Sequence, residues 1–392
     1  MIEGESSLIA LFIILLVGLV LPGLLRRFHL PFISLLLIAG AVMGPFGFGY
    51  IESNIVIEFL GFLGMAFLML MTGLETRVSL LKKNKLNITK MALFNGGIPF
   101  VTGFLITYFF GYSLINSLII GIIFISSSVA VIVPSLKSAK VLNRKTGQII
   151  LAGVLLTDII SLVLLGIVFQ FFSGEGGFSF LLYIPLILLL VTGIFYIIPF
   201  ITRFGFRWYL SDETPYEGQI RFIIVIAIGI LILFSFLGVH PILAAFLAGI
   251  ILSGSIKEFR KRDVYHKLHI LGYGLFIPIF FFIVGMELDL SIFLDIDFKN
   301  LITLSLVIGL ISSKIISGYF SGKMACLDKK SSLIYGTVSM TQLTTTLAAT
   351  YAASALGLLD TFLVSSIILI SIITTILGPA STNYISRKMK RK

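Results

Sequence analysis

Apolar residues in this chain come in long blocks, not in amphipathic stripes. Thirteen blocks can be drawn, at about 8–25, 31–49, 55–74, 91–110, 113–136, 146–172, 178–200, 220–237, 240–254, 270–287, 298–323, 331–354 and 361–386. A bilayer core is crossed by roughly 20 residues of helix, and a helix that is apolar all round belongs in a core or a membrane. The pattern therefore predicts an all-α polytopic membrane protein of about 13 transmembrane helices. Tight reversals separate the fourth and fifth spans ("FFGYS") and the eighth and ninth ("GVH").

Composition agrees with this reading. Of 392 residues, 58% are hydrophobic and 12% charged, about half the charged fraction of a soluble domain. The opening "MIEGESS" is acidic and lacks a basic n-region, which predicts an uncleaved first span instead of a signal peptide. Of the 29 basic residues, 27 fall in the odd-numbered loops and the tail "RKMKRK". Basic residues favour the cytoplasmic side, so the expected topology is multi-pass in the cell membrane, with the N-terminus outside and the C-terminus in the cytoplasm. The net charge of +11 is thereby topological. Spread over seven segments, it argues against a nucleic-acid partner. A single cysteine, Cys326, excludes an internal disulfide and a cysteine metal cluster, and four histidines form no HExxH pair. Neither a cofactor nor an enzymatic activity is expected.

The chain also repeats. "TGLETRVSLL" (72–81) and "VGMELDLSIF" (284–293) match at an offset of 212, and "SSSVA" (126–130) and "TTTLA" (344–348) at 218. The charge pattern puts the first two at opposite faces of the membrane. These matches predict an inverted-topology repeat, about 8–172 against about 220–386, joined by a linker helix at 178–200. Transporters of this kind bind substrate near the midplane, between the repeats, on discontinuous helices. Ser and Thr at mid-membrane can satisfy unwound backbone, and Pro134 removes a donor just after the first triplet. The fifth span is expected to break there, and the twelfth to break at its own triplet.

The stretch "GVLLTDIISLVLL" (153–165) sets Asp158 in an otherwise apolar run. Lys314 lies similarly deep in the eleventh span. Ser126, Ser127 and Ser128 fall at the same depth, as does the run from Gln342 through Thr344, Thr345 and Thr346. An ionised side chain at the helix centre costs about 2.5–3.5 kcal/mol on insertion scales. The plain alternative is a buried Asp158–Lys314 ion pair, which adds little over apolar residues of similar size. The membrane depth favours a transport role instead. Small polar residues taken alone usually serve helix packing. The triplets gain weight only beside Asp158. Glu75 and Glu287, at helix ends, are solvated caps or gate candidates. Asn95 reads as a helix–helix contact, His240 as an interfacial histidine, and Trp208 and Tyr209 as an interfacial anchor.

These residues resemble the monovalent cation:proton antiporter superfamily, in its Kef-type and NapA-type branch. The resemblance rests on "FLMLMTGLET", "SSSVAVIVPSLKSAKVLNRKTGQIILAGVLLTDIISLVLL", "HPILAAFLAGIILS", "PIFFFIVGMELDL" and the lysine of "ISSKIISGY", in the family's order over most of the chain. It implies an NhaA/NapA-like antiporter fold and a homodimer. It also implies core helices at about 91–172 and 298–386 moving in an elevator-like step, with two crossed unwound helices around an aspartate that binds cation and proton in turn. Asp158 matches that aspartate and Lys314 the core lysine. Position 157 is threonine, where many electrogenic members carry a second acid and others Asn or Gln. The chain ends soon after its last span, so no cytoplasmic regulatory domain is expected.

With one acid, the simplest cycle exchanges one proton for one Na⁺, K⁺ or Li⁺ and is electroneutral. Asp158, Thr157 and Ser126–Ser128 would supply oxygen ligands, with Lys314, Gln342, Thr344 and Thr345 in support. Lys314 would compete for Asp158 when no cation is bound. A Kef-type potassium efflux transporter and a sodium-coupled solute symporter stay open at this stage. A membrane sensor would need a signalling domain, and an intramembrane aspartyl protease a second spanning Asp.

Overall fold

The computed structural model describes residues 3–24, 31–76, 80, 85–172, 193, 216–236, 239–259, 264–293 and 298–390. Regular structure among them is all helical: α1 (Glu3–Leu24), α2 (Phe32–Met43), α3 (Ile55–Glu75), α4 (Lys85–Phe109), α5 (Leu114–Ile125), α6 (Val129–Ser138), α7 (Lys145–Phe172), α8 (Tyr216–Phe236), α9 (Pro241–Phe259), α10 (Val264–Leu271), α11 (Ile277–Met286), α12 (Phe298–Met324), α13 (Lys329–Ser339), α14 (Thr344–Ala355) and α15 (Thr361–Lys390). α5 with α6, and α13 with α14, are interrupted single spans, and a π turn at Gly272–Phe276 joins α10 to α11. The described helices thus supply twelve of the thirteen expected spans. The seventh, 178–200, lies outside the described residues except for Gly193, as do the anchor residues Trp208 and Tyr209.

The tenth span starts at Val264, six residues before the apolar block, because Tyr265–Leu271 continues the helix despite its basic and aromatic side chains. Between α4 and α5, Gly111 takes a φ of +86° that suits glycine, and Tyr112 N–H returns to Thr107 O at 3.3 Å to close the reversal.

The Cα trace divides into two compact units, residues 1–61, 77–165 and 278–392, and residues 62–76 and 166–277. In the first, α4 packs on α5 and α12 on α13 through glycines. A β-carbon at Gly121 would lie 2.9 Å from Phe100 O, and one at Gly336 would lie 2.6 Å from Ile315 O. Each residue of the second contact sits 215 positions after its counterpart in the first. α2 meets α11 at Gly40 and Gly285, where a β-carbon on Gly285 would lie 2.3 Å from Leu37 O. In the second unit, α3 meets α9 in the same manner, a β-carbon on Gly249 falling 2.2 Å from Leu70 O and 2.8 Å from Gly73 Cα. Such contacts let membrane helices approach backbone to backbone, where dispersion replaces the missing hydrophobic drive.

The helix ends repeat as well. Thr76 N–H bonds to Gly73 O at 3.1 Å, and 212 residues later Leu288 N–H bonds to Gly285 O at 3.0 Å. The second sequence match needs correction. The interruptions, Ser126–Ser128 before α6 and Thr341–Leu343 before α14, are related by 215 residues, not 218. "SSS" therefore corresponds to "TQL", and the threonine triplet forms the first turn of α14. Pro134 also lies away from the break, within α6.

Candidate cation and proton site

The first interruption is extended backbone, with Ser126 at φ −64°, ψ 165° and Ser128 at φ −78°, ψ 105°. In the second, Leu343 turns the chain at φ −155°, ψ −84°. Backbone freed in a membrane must find partners inside the protein, and here each interruption supplies the other. Ser128 N–H donates to Thr341 O at 2.8 Å, Ser127 Oγ to Ser339 O at 2.7 Å, and Gln342 Nε2 to Ser126 O at 2.9 Å. Ser126 Oγ donates to Gln342 Oε1 at 3.0 Å, Thr346 Oγ1 donates to the same oxygen, and the Ser126 and Thr346 hydroxyls lie 2.9 Å apart. Gln342 N–H is taken by Thr374 Oγ1 on α15 at 3.1 Å. The Ser128 and Thr344 hydroxyls lie 3.4 Å apart.

The crossing therefore gathers two helix C-termini, from α5 and α13, and two N-termini, from α6 and α14, whose partial charges are opposite in sign. Lys314, fully buried on α12, lies at the α5 end. Its Nζ donates to Ile125 O at 2.7 Å and to Ser127 Oγ at 3.1 Å, and lies 3.5 Å from Asn95 O.

Asp158, on α7, is 1% exposed, and neither carboxylate oxygen has a hydrogen-bond partner. Thr345, the Ser127 N–H and the Lys314 ammonium surround it within electrostatic reach, and Thr345 Oγ1 is likewise unpartnered. The lysine's hydrogen bonds go to the crossing, so the two charges are not locked to each other. A carboxylate in this setting can take a proton or oxygen-seeking cation without first breaking a hydrogen bond.

Other candidate residues fall elsewhere. Thr157 is buried, but its hydroxyl proton goes to Val154 O of its own helix at 2.8 Å, while its methyl carbon lies 3.8 Å from where a β-carbon on Gly96 would stand. Glu75, at the end of α3, accepts from Tyr265 OH at 3.1 Å. Glu287, just past α11, keeps Oε2 buried without a partner. His240 packs its ring 4.9 Å from that of Phe169.

Sequence reasoning missed part of the surroundings. Asn95 does more than join two helices: Oδ1 accepts from Ser317 Oγ at 3.0 Å and from Ser339 Oγ at 3.2 Å. Tyr335, Ser339 and Thr374 were not singled out at all. Their signal was weak, since lone hydroxyls in apolar spans are common.

Two inverted repeats, crossed interrupted helices and a buried carboxylate at the crossing define a secondary transporter. The family model described as "Sodium/hydrogen exchanger, transmembrane" matches residues 11–388. The chain belongs to the sodium/hydrogen exchanger family. It is 30% identical over 387 residues to the "Probable Na(+)/H(+) antiporter 3" of Methanocaldococcus jannaschii, covering 97% of both chains. It is 28% identical over 374 residues to the "Na(+)/H(+) antiporter" of Enterococcus hirae, covering 93% of this chain and 94% of that one. Its fold is similar to that of the sodium proton antiporter MjNhaP1 from Methanocaldococcus jannaschii at pH 8, with a TM-score of 0.75, 17% identity and 99% of both chains covered.

Proposed function

We propose that this chain exchanges a monovalent cation, Na⁺ or K⁺, for protons across the cell membrane, one for one, with Asp158 holding cation and proton in alternation. The observation that carries this reading is the carboxylate itself, buried to 1% with both oxygens unpartnered. An uncompensated buried charge is expensive, so either a proton or a cation is expected to occupy it. Hard cations prefer oxygen ligands, and Thr345 Oγ1 is the addition from the crossing that faces the carboxylate. Ser126, Ser127, Gln342 and Thr344 act in support, since their polar atoms already tie the interruptions together. Thr157 contributes at most hydroxyl lone pairs.

Lys314 works from the side. Its ammonium offsets the α5 carbonyl end, and cation entry beside Asp158 adds a second positive charge to the same cluster. Repulsion between the two favours cation release when a proton arrives. Only one carboxylate lies at the crossing among the described residues, which supports an electroneutral cycle. The wider reading includes a homodimer, alternating access by movement of the core helices, gates at Glu75 and Glu287, and a cytoplasmic C-terminus.

The test is dye-monitored proton flux in proteoliposomes driven by Na⁺, K⁺ or Li⁺ gradients. Asp158→Asn should abolish exchange with each cation. Retention of full flux would end the model. A steady current on a solid-supported membrane would refute one-for-one exchange.

A further inference from the structure

Glu75 and Glu287 hold matching places in the two halves of the sequence, yet their carboxyls are bonded differently. Glu75 is closed in by hydroxyls, accepting from Tyr265 OH at 3.1 Å and from Tyr273. Glu287 keeps Oε2 sealed from solvent with no partner. The segment that carries it is pinned to α15: Ser365 Oγ donates to Glu287 O at 3.4 Å and accepts from Asp289 N–H at 3.0 Å.

Two helices end at this carboxyl. α11 stops at Met286, and the last turn of α14 brings up Ser354, whose hydroxyl acts on the Glu287 charge. Helix C-termini carry partial negative charge, which favours a cation and opposes a bare carboxylate. Tyr351, a turn earlier on α14, donates its hydroxyl to Glu58 O at 3.4 Å. It fits there because Gly61 has no β-carbon, which would lie 2.8 Å from that oxygen. Glu58 is exposed, and Tyr351 and Ser354 are half-buried, so polar groups lead from solvent to the sealed oxygen. The titratable groups that face Glu287 are Tyr351 of α14 and, beyond it, Glu58 of α3. α15 presents the neutral Ser365, α2 presents glycine backbone, and Asp289 is taken up by Ser291.

We propose that Glu287, with Ser354 and Tyr351, forms a second alkali-cation site, separate from the crossing, that holds a monovalent cation or a proton but not both. On the proposed topology this site opens to the outside. One carboxylate with neutral hydroxyls balances a single positive charge. Among the described residues no three acidic, histidine or cysteine side chains gather around an ion, so a divalent cation finds no cage of carboxylates here. Burial pushes the Glu287 carboxyl up to about 8. A proton therefore displaces the cation as pH falls below that value. This inference rests on the reading of the chain as a monovalent-cation exchanger, not on Asp158 as the carrier.

The experiment counts radioactive Na⁺ bound to the purified full-length protein by scintillation proximity, at about pH 9 and about pH 6.5. Asp158→Asn empties the crossing and should still bind one Na⁺ per chain at the higher pH, with little at the lower. Adding Glu287→Gln should abolish this binding, whereas Glu287→Gln alone should leave one Na⁺ per chain, at Asp158. Ser354→Ala keeps the carboxyl, and in the Asp158→Asn background it should raise the half-saturating Na⁺ roughly fivefold, the scale of one lost hydrogen bond. The proposal is overturned if the Asp158→Asn protein binds no Na⁺ at the higher pH, or if its binding survives Glu287→Gln. An unchanged half-saturation in Ser354→Ala would also overturn it. A count that Asp158→Asn does not lower would remove Asp158 as the carrier instead, and Glu287→Gln must still lower that count by one.

Discussion

Gln342 is the side chain that staples one interruption to the other, and its removal has a magnitude the structure allows to be worked out. Gln342→Ala leaves Ser126 O without its 2.9 Å donor, and an orphaned buried carbonyl costs about 1–3 kcal/mol. The two hydroxyls that reach Gln342 Oε1 fare better. Ser126 Oγ still has Ile123 O at 3.0 Å, and the Thr346 hydroxyl still has Ser126 Oγ at 2.9 Å, so their loss adds about 1 kcal/mol. The total is about 2–4 kcal/mol, and a local gap would press toward the upper value. Thr344→Val is the matched control, because the Thr344 hydroxyl makes only the 3.4 Å contact to Ser128, and its loss should cost about 0.5 kcal/mol. The assay is the melting temperature of the detergent-solubilised protein, read by fluorescence-detected gel filtration. Gln342→Ala should melt several degrees below wild type, with Thr344→Val near it. Equal melting temperatures for the two variants would refute the view that the crossing is held by this amide.

Two further outcomes follow from the packing and the caps. Gly318→Ala places a β-carbon 2.4 Å from Gly336 Cα, which forces α12 and α13 apart at a cost of about 3 kcal/mol. Gly97→Ala on α4 meets nothing within 4 Å and should melt at or slightly above wild type. Parallel melts check this, and a tolerated Gly318→Ala would refute the close approach. At the start of α13, Asp328 caps the helix, accepting from Lys330 N–H at 3.2 Å and Ser331 N–H at 3.4 Å. The Ser331 side chain and these N–H groups hold its carboxyl below the usual carboxylate range. A depressed folded value means the stabilisation is complete above the unfolded value of about 3.9 and is lost as pH falls through the lower folded value. Asp328→Ala should therefore cost about 1 kcal/mol at neutral pH, with the gap to wild type narrowing below about pH 4. A gap that does not change with pH would contradict the cap.

Much of the fold was legible because a membrane restricts what backbone can do. Each apolar block had to become a helix, and the interruption at Ser126–Ser128 lies where hydroxyls cluster in an apolar run. The second interruption was displaced by three residues because likeness of composition, Ser against Thr, suggested the wrong register. The true register is carried by glycines, Gly121 against Gly336, whose nearest contacts are the backbone carbonyls of Phe100 and Ile315 and leave no pattern in hydropathy. Asp158 and Lys314 were visible as the acid and base that bury most deeply. Their hydrogen bonds were not. Whether a buried lysine bonds to a carboxylate or to helix carbonyls depends on where a neighbouring helix stops, and Lys314 bonds to Ile125 O because α5 stops there.

The two halves share a frame but differ in what they place on it. Counting 215 residues on from Pro99 reaches Lys314, and from Ser127 reaches Gln342. In the second half, the N–H of Gln342 is taken by Thr374 on α15. In the first, the N–H of Ser127 faces Asp158 on α7, one residue before the position that matches Thr374 at the offset of 215. A neutral hydroxyl closes its side with a hydrogen bond, so that interruption is fixed. The carboxylate leaves its side open, and proline, which has no donor, gives way to an ammonium in the partner position. The repeat thus builds two equivalent interruptions and sets a carboxylate beside only one. A site made this way has one carboxylate to neutralise, which is why the proposed cycle moves one positive charge in each direction.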